Sequence, residues 1–203
     1  ELMQDEEILR LVAVFAGLGF DKYRLTGGEP TVRANIVEIV QGIASTPGVR
    51  SLSMTTNGVL MKKLALPLAQ AGLQRVNFSV DTLDPEKFRR LTRWGKLEDA
   101  WEGILAAEHA GLTPIKLNAV IVQGYNESDV GELARLTLEH AWQVRFIEMM
   151  PFAGATDLQT SQAVTAAQMQ AVISAALGRL EPVKDGERDG EARVYRLPGA
   201  RGE

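Results

Sequence analysis

The spacing of apolar residues alternates along the chain between a helical pattern and a short strand pattern. The first helical pattern places five apolar residues on one side of a helix: Ile8, Leu11, Val12, Phe15 and Leu18. Helical patterns recur along the chain up to the segment TAAQMQAVISAAL near its end. Between them lie strand-like segments that read DKYRL, RSLSM, RVNFSV, PIKLNAVI and QVRFIE. Strands that alternate with helical crossovers predict an α/β fold with parallel strands and helices outside the sheet.

Successive residues of a strand point to opposite sides, so each predicted strand has two faces. One face is apolar and suits contact with helices; it contains Tyr23, Leu25, Leu52, Met54, Val76, Phe78, Val80, Ile115, Leu117, Ala119, Ile121, Val144 and Phe146. The other face is mostly polar; it contains Lys22, Arg24, Ser51, Ser53, Thr55, Asn77, Ser79, Asp81, Lys116, Asn118 and Arg145. Burying one unpaired polar group costs about 1–3 kcal/mol. The pattern therefore predicts an open barrel with a wet, polar cavity.

Four cations of the polar face, Lys22, Arg24, Lys116 and Arg145, come from three different strands. Together they suit an anionic ligand such as a phosphorylated molecule. Alternatively, each cation pairs with an acidic side chain of the cavity or extends to the solvent at its rim.

The 203 residues are 45% hydrophobic, which is enough for one substantial core. The net charge of −4 argues against binding of nucleic acid through a basic surface. The beginning of the chain, ELMQDEEILR, is acidic and no apolar window is long enough to span a bilayer, so we expect a cytoplasmic protein without a membrane partner. The chain contains no cysteine, which excludes thiolate metal ligands from it, and we assign no metal-binding residue.

The segment TGGEP directly follows the first predicted strand. Adjacent glycines in such a turn allow positive φ angles and a close approach of backbone N–H groups to a ligand. The spacing differs from the G-x-G-x-x-G pattern of dinucleotide-binding folds. Taken alone, a Gly-Gly turn between a strand and a helix is an ordinary structural feature.

The order and intervals of five segments carry a family resemblance: RLTGGEPTVR, MTTNGVL, RVNFSVDTLDPEKFRRLTR, KLNAVIVQGYNESD and VRFIEMMP. They closely resemble the GTP 3′,8-cyclases, which are radical S-adenosylmethionine (radical SAM) enzymes also called molybdenum cofactor biosynthesis protein A. The resemblance implies a partial (β/α)6 barrel of TIM type, without its first strand, in residues 1–152. It implies a helix and the start of the molybdenum-cofactor-synthesis region in residues 153–203.

The resemblance also implies site residues. Those expected to bind S-adenosylmethionine are Gly27, Gly28 and Glu29, which would meet its methionine amino group, together with Ser79 and Met150. Those expected to bind GTP are Arg24, Thr55 and Lys116, with Lys22 and Arg145 at positions that face the triphosphate or base.

Enzymes of this family use a reduced iron–sulfur cluster to cleave S-adenosylmethionine, and the resulting 5′-deoxyadenosyl radical removes hydrogen from C3′ of GTP. The product is 3′,8-cyclo-7,8-dihydro-GTP. The family holds two [4Fe-4S] clusters through cysteine motifs that this chain lacks. We therefore expect the chain as given to be an inactive, truncated core, and we identify no catalytic residue in it.

Two other functions are compatible with the sequence. One is another radical SAM enzyme, such as one that modifies peptides; the other is a non-catalytic fragment that binds a nucleotide or a partner, including a second copy as a homodimer, at an exposed strand edge. The role of Asp81 is open, since it could be an acid or base, a cap or the partner of a cation. His109 and His140 lie near predicted helix ends, and we expect them to be structural.

Overall fold

The computed structural model describes residues 3–92, 95–150, 163–183 and 192–203, which form two compact units. Unit 1 comprises Glu1–Ser79 and Gly95–Ile115, and unit 2 comprises Val80–Trp94 and Lys116–Glu203. The domain boundary predicted after residue 152 lies outside the described residues.

Helices and strands alternate along most of the chain, except that two helices follow β3 and two short strands follow the last helix. In chain order they are α1 (Asp5–Gly17), β1 (Lys22–Leu25), α2 (Ile36–Ala44), β2 (Ser51–Thr56), α3 (Met61–Gln70), β3 (Arg75–Ser79), α4 (Pro85–Thr92), α5 (Leu97–His109), β4 (Lys116–Ile121), α6 (Val130–Glu139), β5 (Gln143–Glu148), α7 (Ala166–Leu177), β6 (Glu181–Pro182) and β7 (Tyr195–Arg196). Single 3₁₀ turns at Pro30–Val32 and Glu127–Asp129 precede α2 and α6.

Unit 1 contains parallel strands: β1 pairs with β2, and β2 pairs with β3. The register sets Arg24 beside Ser53 and Ser53 beside Arg75, so these three side chains form one row across the strands. Helix α2 packs on β2, and contacts between α1 and α2, α2 and α3, and α3 and α5 complete the packing of the helices.

Unit 2 contains the parallel pair of β4 and β5, in which Asn118 lies beside Arg145. Helices α6 and α7 pack against each other and against β5. Their contact buries a hydrophobic cluster of Ala119, Ile121, Val130, Leu133, Ala134, Val164, Met169, Ile173 and Leu197. A capping box at Thr165 and Gln168 begins α7, because each residue's side chain bonds the other's backbone N–H. Strands β6 and β7 form a small antiparallel pair.

The two faces predicted for the strands are present. Leu52 and Met54 of β2 are fully buried, whereas Ser51, Ser53 and Thr55 between them are only half-buried. The apolar residues of β3 and β4 are buried in the same way: Val76, Phe78, Leu117, Ala119 and Ile121. The hydrophobic effect thus fixes one side of β2, β3 and β4 in the core. The apolar residues Tyr23, Leu25, Val144 and Phe146 of β1 and β5 are only half-buried, and Asn77 and Lys116 of the polar face are buried.

The α/β class and the parallel strands are confirmed, and two details differ from the sequence prediction. The apolar spacing of the sequence predicts a helix from about Arg33 to Ala44, but α2 begins at Ile36, because Pro30 starts a separate 3₁₀ turn that Glu29 caps through the N–H of Thr31. Pro67, which predicts either a kink or the start of a second short helix, lies inside the single helix α3. In the described part of the chain, no helix combines the length and the hydrophobicity that crossing a membrane requires.

A contact between two glycines fixes α5 against the turn after β2. A Cβ atom on Gly103 would lie 2.1 Å from the carbonyl oxygen of Gly58 and 3.1 Å from Cβ of Met61. Gly58 itself has a φ of +84°, and a Cβ there would lie 2.9 Å from Cδ1 of Phe78. The absence of side chains at both positions allows the turn and the helix to touch.

We expect Gly103→Ala to destabilise the protein by about 1–3 kcal/mol, because the new methyl group overlaps backbone atoms that cannot rotate away. Denaturant unfolding followed by circular dichroism measures this change. The matched control is Gly17→Ala, at the end of α1, where a Cβ meets nothing within 4 Å. Equal stability of the Gly103→Ala variant and the wild type would contradict the packing.

Candidate functional site

The turn after β1 is open at its glycines. Gly27 has a φ of +144°, a conformation that side chains disfavour, and a Cβ on Gly27 or Gly28 would meet nothing within 4 Å. Both residues are exposed. The backbone of this turn is therefore accessible to a ligand, as the sequence predicts for TGGEP.

Glu29 holds the turn to the loop after β2. One carboxylate oxygen accepts hydrogen bonds from the N–H and the hydroxyl of Thr31, at 3.1 and 2.6 Å, and from the hydroxyl of Thr56, at 2.7 Å. The other oxygen accepts from the N–H of Asn57, at 2.7 Å. A carboxylate has about four lone-pair positions. Glu29 therefore acts here as a brace, with most of its acceptor capacity used by the protein.

The loop that Glu29 holds is the TTNG segment. Thr56 Oγ1 accepts from the N–H of Gly58 at 3.1 Å, and Asn57 Oδ1 accepts from the N–H of Val59 at 3.0 Å. In the sequence, only the family resemblance connects TTNG with the TGGEP turn after β1. The side-chain bonds of Thr56 and Asn57 give the physical reason why both segments occur together.

The polar face of unit 1 contains several of the residues that are expected to bind S-adenosylmethionine or GTP. Lys22 and Arg24 are exposed, Thr55 is half-buried, and Ser79 is exposed at the end of β3. Arg24 Nε donates to Ser53 Oγ at 3.4 Å, and Ser53 Oγ donates to the carbonyl of Tyr23 at 3.3 Å. Arg24 is thus held against β2 by a neutral partner.

Arg75 belongs to the same face, although the sequence prediction does not include it. Its guanidinium donates to Ser51 Oγ at 3.0 Å, and it is half-buried at the first position of β3. The alternation that assigns Asn77 and Ser79 to the polar face applies equally to Arg75, so the signal for it is present in the sequence.

Unit 2 carries the remaining predicted residues. Lys116 is buried at the start of β4, with 6% of its surface exposed, and Arg145 is half-buried beside Asn118 on β5. Met150 follows β5 and is 76% exposed. Lys116 and Arg145 thus remain at least partly shielded from solvent, unlike the two cations of β1.

Asp81 has a structural partner in unit 2. Its carboxylate accepts a hydrogen bond from the N–H of Val120 at 2.8 Å, and its carbonyl accepts from Asn126 Nδ2 at 2.7 Å. Burial raises the pKa of the Asp81 carboxyl, and the bond from Val120 opposes that rise. Asp81 therefore joins β4 to the segment after β3, and its side chain lies in a poorly solvated position.

A second polar cluster fixes the loop between β3 and α4. Asp129 is 8% exposed; it accepts from the hydroxyl of the fully buried Thr82 and from the ammonium of Lys87, both at 2.6 Å. The bond to Asp129 raises the pKa of Lys87. Asp84 followed by Pro85 is typical of a helix start, and Asp84 caps α4 by accepting from the N–H groups of Glu86 and Lys87. The cluster of Thr82, Lys87 and Asp129 has no periodicity that reveals it in the sequence, because its members are far apart in the chain.

The described residues contain no group of three or more His, Cys, Asp or Glu side chains arranged to bind a metal ion. His109 is the last residue of α5. His140 ends α6 and stacks on Trp142, with ring centroids 3.9 Å apart. Both histidines thus lie at helix ends, as the sequence predicts.

Residues 1–137 match the sequence profile of the radical SAM superfamily. The GTP 3′,8-cyclase of Moorella thermoacetica is 44% identical over 202 residues, which cover 100% of this chain and 62% of that protein. The GTP 3′,8-cyclase of Rippkaea orientalis is 44% identical over 207 residues with the same coverage. The chain thus spans 62% of the length of these curated relatives.

Solved structures share the fold at low sequence identity. Methylornithine synthase superposes with a TM-score of 0.64 at 20% identity, over 89% of this chain and 55% of its own. A radical SAM methyltransferase from Sphaerobacter thermophilus superposes with a TM-score of 0.60 at 16% identity, over 86% of this chain and 55% of its own. Both likenesses agree with the predicted fold class.

We expect Asp129→Ala to lower the free energy of unfolding by about 1.5–3 kcal/mol, because it removes hydrogen bonds that involve a charge and leaves the buried Thr82 hydroxyl without its acceptor. Thermal or denaturant unfolding measures the loss. The control is Glu102→Ala, which breaks the exposed ion pair with Lys62 and should change stability much less. A similar effect of both substitutions would contradict the role of the cluster.

Asp81→Asn should raise the melting temperature at pH 7. The raised pKa means that the folded state binds the proton of Asp81 more tightly than the unfolded state does, so the charged carboxylate destabilises the fold at neutral pH. The advantage of the variant should fade as the pH falls to the ordinary value of 3.8, where both states become protonated. Asp84→Asn should instead lower the melting temperature at pH 7, because the N–H groups at the start of α4 lower the pKa of Asp84. Melting curves at several pH values test both signs, and a loss of stability in Asp81→Asn at pH 7 would contradict the assignment.

Proposed function

Because the chain belongs to the radical SAM superfamily, we propose that its protein is a GTP 3′,8-cyclase, which converts GTP to 3′,8-cyclo-7,8-dihydro-GTP in molybdenum cofactor biosynthesis. The activity named for the curated relatives supports this proposal, since the similarity extends over the whole chain. The cations of the polar face favour a phosphorylated substrate over a peptide.

The observation that carries the proposal is the combination of two features on β1. Lys22 and Arg24 extend from the polar face of this strand, and only Thr26 separates its end from the open turn at Gly27 and Gly28. A cationic strand suits the phosphates of a nucleotide. An accessible glycine backbone suits the polar methionine end of S-adenosylmethionine.

The turn fits S-adenosylmethionine, because the space around Gly27 and Gly28 is open. We propose that the backbone of Gly27 and Gly28 meets the methionine amino group and that Glu29 fixes the shape of the turn through its own bonds. Ser79 and Met150 are proposed as further contacts. When bound, S-adenosylmethionine supplies the radical chemistry of the reaction, and these residues bind and orient it.

The chain does not fit an iron–sulfur cluster, since it has no cysteine to provide a thiolate. The [4Fe-4S] clusters of the proposed activity are therefore assigned to no residue of this chain. We propose that the 203 residues bind ligands but do not carry out the reaction.

The proposed contacts of GTP are Lys22, Arg24, Thr55, Lys116 and Arg145. Charge-assisted hydrogen bonds from such cations would anchor the triphosphate. A fixed triphosphate holds the ribose and the base in one orientation, which is what ring closure between C3′ and C8 requires. A cytoplasmic location, a homodimer and the domain division at residue 152 remain proposals.

Arg24→Gln should weaken GTP binding about ten- to a hundredfold, because it removes the charged donor from the proposed phosphate contact. Isothermal titration calorimetry with GTP measures the affinity. Arg89→Gln, which removes an exposed cation paired with Glu86 in α4, is the control and should bind like the wild type. Absence of GTP binding by the wild type, or equal affinities of all three proteins, would contradict the proposal.

A further inference from the structure

Arg75 lies in the same row as Arg24. Both are register partners of Ser53, one on each side, so their Cα atoms are two strand spacings apart, which is about 10 Å. Lys22 occupies the neighbouring row beside Ser51, and Ser51 accepts the hydrogen bond from Arg75. Three cations of unit 1 thus surround two serine hydroxyl groups on one face.

In the part of the chain that the structure describes, no carboxylate forms an ion pair with this group of cations. None of the ion pairs among the described residues includes Lys22, Arg24 or Arg75. Arg24 and Arg75 instead donate to the neutral hydroxyls of Ser53 and Ser51. By contrast, Arg33 and Arg50, which lie elsewhere in unit 1, pair with Asp5 and Asp21.

A guanidinium has five N–H donors in a fixed fork. The hydrogen bond to Ser51 engages one terminal nitrogen of Arg75, so the remaining donors stay available for an anion. Because Arg75 is half-buried, its bonds to an anion would be screened less by solvent than those of a fully exposed cation.

We propose that Arg75 is a further phosphate-binding residue, which acts with Lys22 and Arg24 on one polyphosphate ligand and makes unit 1 selective for chains of phosphates over a single phosphate. The identity of that ligand as GTP rests on the function proposed above. Binding of phosphates by Lys22, Arg24 and Arg75 does not depend on which nucleoside carries them.

The test is calorimetric titration of the 203-residue chain with inorganic tripolyphosphate, GTP, ATP and GMP. Arg75→Gln should weaken binding of tripolyphosphate and GTP about tenfold and should change the affinity for GMP much less. Arg75→Lys, which keeps the charge without the fork, should recover part of the loss. Arg50→Gln makes the same change of net charge in unit 1 at a residue already paired with Asp21, and it should bind like the wild type.

The outcomes separate this inference from the proposed function. The inference is wrong if Arg75→Gln and Arg50→Gln have equal affinities for tripolyphosphate, or if the wild type does not bind tripolyphosphate. This holds even if the wild type binds GTP more tightly than ATP. If tripolyphosphate binding depends on Arg75 but GTP and ATP bind equally, the phosphate role stands and the assignment to GTP fails. An equal loss for GTP and GMP would show that Arg75 only braces Ser51, and it would overturn the selectivity for polyphosphate.

Discussion

The function proposed for this chain depends on cations that pair with no carboxylate of the described residues. The apolar side of β2 and β3 is fixed in the core by burial, so the polar side has one orientation only. In unit 1 that side carries Lys22, Arg24 and Arg75, and the two arginines donate hydrogen bonds to neutral serine hydroxyl groups. Cations held together without a counter-charge repel one another, and a bound anion removes that repulsion.

A second constraint connects this face to the turn that follows β1. Glu29 bonds Thr56 and Asn57, and so it ties the end of β1 to the end of β2. The loop that contains Asn57 packs in turn on α5 through Gly58 and Gly103. The open glycines therefore sit on a braced scaffold, which is the arrangement expected where a backbone must meet a ligand.

Much of the fold follows from residue alternation and helix boundaries. The parity of β2 predicts which of its residues are buried, whereas in β3 the polar-face residue Asn77 is buried as well. Asp84 followed by Pro85 predicts the start of α4. The side-chain bonds of Glu29 and the cluster of Thr82, Lys87 and Asp129 could not be predicted, because they join residues 27 to 47 positions apart with no periodic pattern. Arg75 differs from these, since the same parity rule that identifies Asn77 applies to it.

A crystal structure of the chain with bound GTP tests the central claim most directly. Phosphate oxygens are expected within hydrogen-bond distance of Arg24 and Arg75 on the polar face of β1, β2 and β3. A triphosphate bound elsewhere, with these arginines unchanged and the polar face occupied by water alone, would contradict it.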